Sequence, residues 1–66
     1  MWVNSFLLRL ASDRGVQVQV DNCTAEVWHT DPRVNDGMSV ICFTPQKVRQ
    51  VIYRLAIEYQ QLVGTH

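Results

Sequence analysis

Residues 6–20 read FLLRLASDRGVQVQV, and whether the first half of this stretch is strand or helix decides how many strands the chain has. The second half is plain. Val16-Gln17-Val18-Gln19-Val20 alternates apolar and polar residues with a period of two, which predicts a strand with one buried face. The first half admits two readings. As a strand, Phe6, Leu8 and Leu10 share one face, and Asp13-Arg14-Gly15 turns the chain into the next strand. As a helix, Asn4 caps it, Phe6, Leu7, Leu10 and Ala11 form the apolar stripe, and Gly15 stops it. The short glycine-containing turn before an obvious strand favours a strand over residues 6–12.

Downstream, Asp21-Asn22 tolerates positive φ and suits a tight hairpin turn. Residues 23–28 (CTAEVW) alternate again, with Ala25 and Val27 on one face and Thr24, Glu26 and Trp28 on the other. His29 to Gly37 reads as a loop, punctuated by Asp31-Pro32 and Asp36-Gly37. Residues 38–43 (MSVICF) are short, apolar and partly β-branched, which predicts a strand buried on both faces.

The last element is a helix over residues 45–63. Thr44 is an N-cap residue, Pro45 occupies the first helical position, where its missing N–H costs nothing, and Gly64 is a natural stop. At about 100° per residue, Val48, Val51, Ile52, Leu55, Ala56, Tyr59, Leu62 and Val63 fall in one arc of roughly 140°. The expected fold is a single α+β domain over residues 1–66. It is a three- to four-stranded antiparallel meander packed on one face by the C-terminal amphipathic helix.

Size and composition bound what such a domain can do. A chain of 66 residues buries only about 60% of the surface its unfolded form exposes. Domains this small make up the deficit with disulfides, a metal or a second subunit. The start, MWVNSFLLR, has no basic region before its apolar run and does not read as a signal peptide, so a cytoplasmic, reducing setting is expected. In that setting Cys23 and Cys42 are expected as two half-buried thiols. Cys23, His29, Cys42 and His66 are strung singly along the chain, unlike the paired ligands of a zinc site. No metal or cofactor is expected, which leaves a homodimer as the means of stabilisation. No stretch approaches the roughly 18 apolar residues of a membrane span.

Catalytic chemistry finds little support. Cys23 with His29 is the one nearby nucleophile–base pair, and the glycines are isolated turn residues, not a phosphate-binding loop. The expectation is a protein that is not an enzyme. Nucleic-acid binding is the alternative. Gln46, Lys47, Arg49 and Gln50 crowd the first turns of the helix, where recognition helices place base-reading residues, and a dimeric DNA-binding regulator would use them. Against it stand a formal net charge of zero and the absence of a helix immediately before this one.

Two residues of the helix point away from its core arc. Ile57 lies opposite the arc's centre and Tyr53 one turn earlier. Their neighbours are Gln46, Gln50, Gln60 and Gln61, with Lys47, Arg49, Arg54 and Glu58 at the margins. An ordinary solvated face is rich in Lys and Glu; an apolar centre with a polar rim has the make-up of an interface. Scattered surface apolar residues are also normal and need no cause. Tyr53, Ile57, Gln50, Gln60 and Gln61 are therefore the candidate contact residues, helix pairing across a two-fold axis being their simplest use. Trp28 on the outer face of the sheet is a second candidate, either as a contact or folded over the sheet edge with Trp2. In layout the chain resembles small accessory proteins of bacteria and their phages, without a diagnostic motif. That resemblance implies an inhibitor or modulator that works by binding another protein.

Overall fold

The computed structural model describes residues 1–64. In chain order the elements are α1 (Ser5–Ser12), β1 (Val16–Val20), β2 (Ala25–His29), a 3-10 turn (Val34–Gly37), β3 (Val40–Cys42) and α2 (Pro45–Val63). The strands form one antiparallel sheet in the order β1-β2-β3, and α2 packs on it.

Residues 6–12 are not a fourth strand; they lie in α1. The stretch FLLRLAS contains no β-branched residue and three leucines, which favours helix over strand. Asn4 Oδ1 accepts the Leu7 N–H at 2.9 Å, satisfying one of the donors that a helix start leaves unpaired. Leu7 and Ala11, one turn apart, are buried together with Val3, whereas Phe6 is 70% exposed. A strand would have turned Phe6 inward and Leu7 out.

The hairpin forms in the expected place. Val16 pairs with His29 and Val20 with Ala25, and the Asp21 N–H donates to the Thr24 carbonyl at 2.8 Å. The turn is centred on Asn22-Cys23, one residue later than the expected Asp21-Asn22, and none of Asp21, Asn22 and Cys23 has positive φ. The non-glycine residues that do are Asn35 and Asp36, in the 3-10 turn. Strand β2 is shifted from residues 23–28 to Ala25–His29, so His29 belongs to the sheet and not to the loop. Strand β3 is shorter than residues 38–43 and is buried on one face only: Cys42 is fully buried while Ile41 is 50% exposed. The reason is that the helices pack on one face of the sheet alone, leaving Ile41 and its neighbour Glu26 exposed on the other.

Helix α2 is capped as the sequence requires, with Thr44 Oγ1 accepting the Lys47 N–H at 3.1 Å. Val48, Val51, Ile52 and Leu55 are buried, Ala56 and Tyr59 half-buried. Leu62 and Val63, expected in the core arc, are exposed. A helix of 19 residues is about 28 Å long, whereas a five-residue strand spans about 17 Å. The last turns therefore run past the sheet, and the molecule is elongated, 41 × 21 × 15 Å. Buried Val34, in the turn before β3, adds to the core from a segment expected to be loop.

Of the cysteines, Cys23 is exposed in the hairpin turn and Cys42 buried in β3; both are free thiols. Among the described residues no helix is long and apolar enough to cross a membrane.

Candidate interaction surface

The outer side of α2 presents its expected strip to solvent. Ile57 is 59% and Tyr53 42% exposed, and Gln46, Gln50, Gln60 and Gln61 are exposed beside them. Ile57, Gln60, Gln61 and Gly64 line a shallow hollow at the overhanging end of the helix. Glu58, on the flank, is held inward: its Oε2 accepts the Asn35 N–H at 2.6 Å, tying α2 to the 3-10 turn. Asn35 in the left-handed region directs its N–H at that carboxylate.

One edge of the strip is built by Arg14, a residue that no sequence pattern marked. The Arg14 guanidinium lies 5.4 Å from the centre of the Tyr53 ring, a cation–π distance, and its Nη1 donates to the Leu10 carbonyl at 3.1 Å. Behind it sits His29, stacked on Tyr59 with ring centres 4.5 Å apart. His29 Nδ1 accepts the Asp31 N–H at 2.9 Å, so the ring proton sits on Nε2 and is donated to the Arg14 carbonyl at 3.0 Å. Asp13, Arg14, Gly15, His29, Thr30, Ala56, Tyr59 and Gln60 enclose a cleft of about 320 Å³, at the small end of ligand-sized sites. The inward parity of Ala25, Val27 and His29 along one strand was the available signal for His29. Arg14 had none, because its placement depends on α1 being a helix.

At the far side of the same loop Arg33 grips Asp31, Nη2 to Oδ2 at 2.7 Å. The hydrogen bond from the Arg33 side chain, with a second from its backbone N–H, holds the Asp31 carboxyl well below the usual range, at about 2. Burial pushes the Cys42 thiol up.

The remaining expected residues are scattered. Trp28 is half-buried on the outer sheet face, opposite Gln17, where it lines a hollow with Gln19, Glu26, Gly37 and Ser39. It lies on the opposite face from the helices, so it is not part of the α2 strip. Trp2 does not join it: its Nε1 donates to the Asp21 carbonyl at 2.7 Å, at the hairpin end. Gln46, Lys47, Arg49 and Gln50 lie exposed on the first turns of α2, and the element before them is β3. Cys23 lies in the hairpin turn before β2 and His29 at the far end of that strand, so the two are not brought together as a catalytic pair. Cys42 lies apart from both in β3, and His66 lies outside the described residues. Comparison with known protein families, with curated proteins and with solved structures finds no match to this chain.

Proposed function

We propose that the protein is a non-enzymatic interaction module that self-associates and acts by binding a partner protein through the outer strip of α2. Tyr53 and Ile57 form the apolar centre of the contact, Gln50, Gln60 and Gln61 its uncharged surround, and Trp28 a separate contact point on the other face. The observation that carries this reading is Ile57: it is 59% exposed on a helix whose opposite side already fills the core. Apolar and aromatic centres of this kind supply most of the energy of protein contacts. Arg14 over the Tyr53 ring supports it further, since the pair limits the freedom of a side chain that a partner would otherwise have to immobilise.

Two measurements test the reading. Sedimentation equilibrium of the protein at roughly 10–200 μM should show association; a monomer throughout contradicts that half. Proteins captured from the native host by the wild type and by Ile57→Asp are then compared by mass spectrometry. A partner bound through the strip is lost from the variant, which itself stays as stable as the wild type to within about 0.5 kcal/mol, as expected for an exposed position. Identical captures contradict the second half.

A further inference from the structure

The sheet has two edges, and they differ. At β1 the edge is guarded, because α1 packs against the strand and Val16 is buried. At β3, β2 lies beside the strand and α2 beneath it, and among the described residues no element runs along the outer edge. We infer that this outer edge of β3 takes up an extended segment of a partner protein as a fourth antiparallel strand, the segment alternating apolar and acidic residues. It is a different surface from the α2 strip, and neither depends on the other.

The backbone groups that such pairing needs are exposed. Thr30 N–H donates to the Gly15 carbonyl at 2.9 Å and Asp21 N–H to the Thr24 carbonyl at 2.8 Å, so the even positions along β2 bond to β1. The odd residues Ala25 and Val27 therefore exchange bonds with Cys42 and Val40 of β3. That leaves the N–H and C=O groups of Ile41, with those of Ser39 and Phe43 on either side, pointing away from the sheet. All three residues are exposed, Ile41 at 50% and Phe43 at 68%. Residues 38–43 contain neither proline nor charge, the usual guards of an edge.

The two faces of the sheet fix what the added strand carries. On the outer face Ile41 and Phe43 share one parity, and apolar residues directly opposite would cover them. On the helix face, Lys47 and Arg54 lie on the side of α2 nearest β3, where their charges reach the Cys42 thiol and act against the rise that burial gives it. Both are exposed, and neither forms an ion pair among the described residues. Glu58, the one acid of α2, is turned to the Asn35 N–H instead. Side chains opposite Val40 and Cys42 point towards the two cations, and there acidic residues fit. A segment shifted by one residue would put its acids on the face of Glu26 and its apolar groups beside the cations.

A second copy fits this edge poorly. Antiparallel pairing about Ile41 would set Ser39 against Phe43 and bring Lys47 and Arg54 of each copy towards those of the other. The uncompensated positive charge selects an acidic guest.

The test is fluorescence anisotropy at about 20 mM salt with labelled, end-capped peptides. Val-Glu-Val-Glu-Val is expected to bind at least about tenfold more tightly than Val-Lys-Val-Lys-Val. Lys47→Glu/Arg54→Glu, at two exposed positions, is expected to keep its circular dichroism spectrum and to reverse that preference. N-methylation of the valines removes the N–H groups aimed at β3 and is expected to abolish binding. N-methylation of the glutamates, whose N–H groups point outward, is expected to change the Kd by no more than about threefold. Ile57→Asp is expected to leave the Kd within about twofold. Equal binding of the acidic and basic peptides, or a preference that the double variant does not reverse, overturns the acidic guest. Binding that survives methylation of the valines is charge attraction without strand pairing and overturns the added strand. Binding that Ile57→Asp releases belongs to the α2 strip and overturns the placement at β3 while leaving the reading of that strip intact. No binding of the acidic peptide at about 1 mM overturns the inference outright.

Discussion

Replacing Gly15 by alanine should damage the cleft beneath the α2 strip far more than its backbone angle alone implies. Gly15 and Gly37 both have φ of 75°, so an added side chain costs about 1 kcal/mol of backbone strain at either position. Their surroundings differ. At Gly37 a Cβ would meet one backbone oxygen, that of Pro32, at 3.3 Å, whereas at Gly15 it would lie 3.0 Å from both Cε1 and Nε2 of His29. The imidazole cannot yield freely, because its two nitrogens are tied to Arg14 and Asp31 and its face is stacked on Tyr59. Displacing it forfeits a hydrogen bond worth about 1 kcal/mol and a ring contact worth about 1 kcal/mol. Gly15→Ala should thus cost about 3 kcal/mol and Gly37→Ala about 1 kcal/mol, both reduced equally by the smaller entropy of the unfolded chain. In a domain of this size the gap of about 2 kcal/mol separates the two melting temperatures by roughly 8–16 °C. Urea unfolding at one fixed chain concentration measures it without interference from association. Equal losses in the two variants would show that His29 is not packed on Gly15 as described, and the account of the cleft would fall with it.

Leu55→Ala, at a fully buried position, should cost about 2–5 kcal/mol; Leu62→Ala, on the overhanging end, should stay within about 0.5 kcal/mol, and the same urea titration reads both. Asp31 titrates at about 2 in the folded chain, below its ordinary value of 3.8, so its contribution is present above about pH 4 and is lost as pH falls towards 2. Unfolding midpoints followed through that window should drop in the wild type more steeply than in Asp31→Asn. Mixed-sequence duplex DNA at about 20 mM salt should show no binding by fluorescence anisotropy, since Lys47 and Arg49 alone would neutralise few phosphates. Binding that weakens on replacing Gln46, Lys47, Arg49 and Gln50 would return the regulator reading.

Much of the fold could be read from local pattern. Period-two alternation placed β1 to the residue, and Thr44, Pro45 and Gly64 bounded α2. Where local pattern failed, the deciding factor was relational. FLLRLAS satisfies both periods, and the absence of β-branched residues with a cap at Asn4 outweighed the short turn that pointed to a hairpin. A helical wheel shows which residues of α2 share a side, but not where the sheet beneath it ends; that is why Leu62 and Val63 lie in the core arc and yet outside the core. The strip of Tyr53 and Ile57 was legible because facing away from a core arc depends on the helix alone. Its Arg14 and His29 edge was not, because it joins three elements whose positions no single segment encodes.

The same dependence governs β1. Its alternation is visible in the sequence, yet on the expected four-stranded sheet residues 6–12 would pair beside β1 and consume its outward N–H and C=O groups. Once those residues coil into α1 instead, β1 becomes an edge with two inward valines only half covered. That edge is guarded in part, because Val16 is buried and Met1 and Trp2 lie beside Val20.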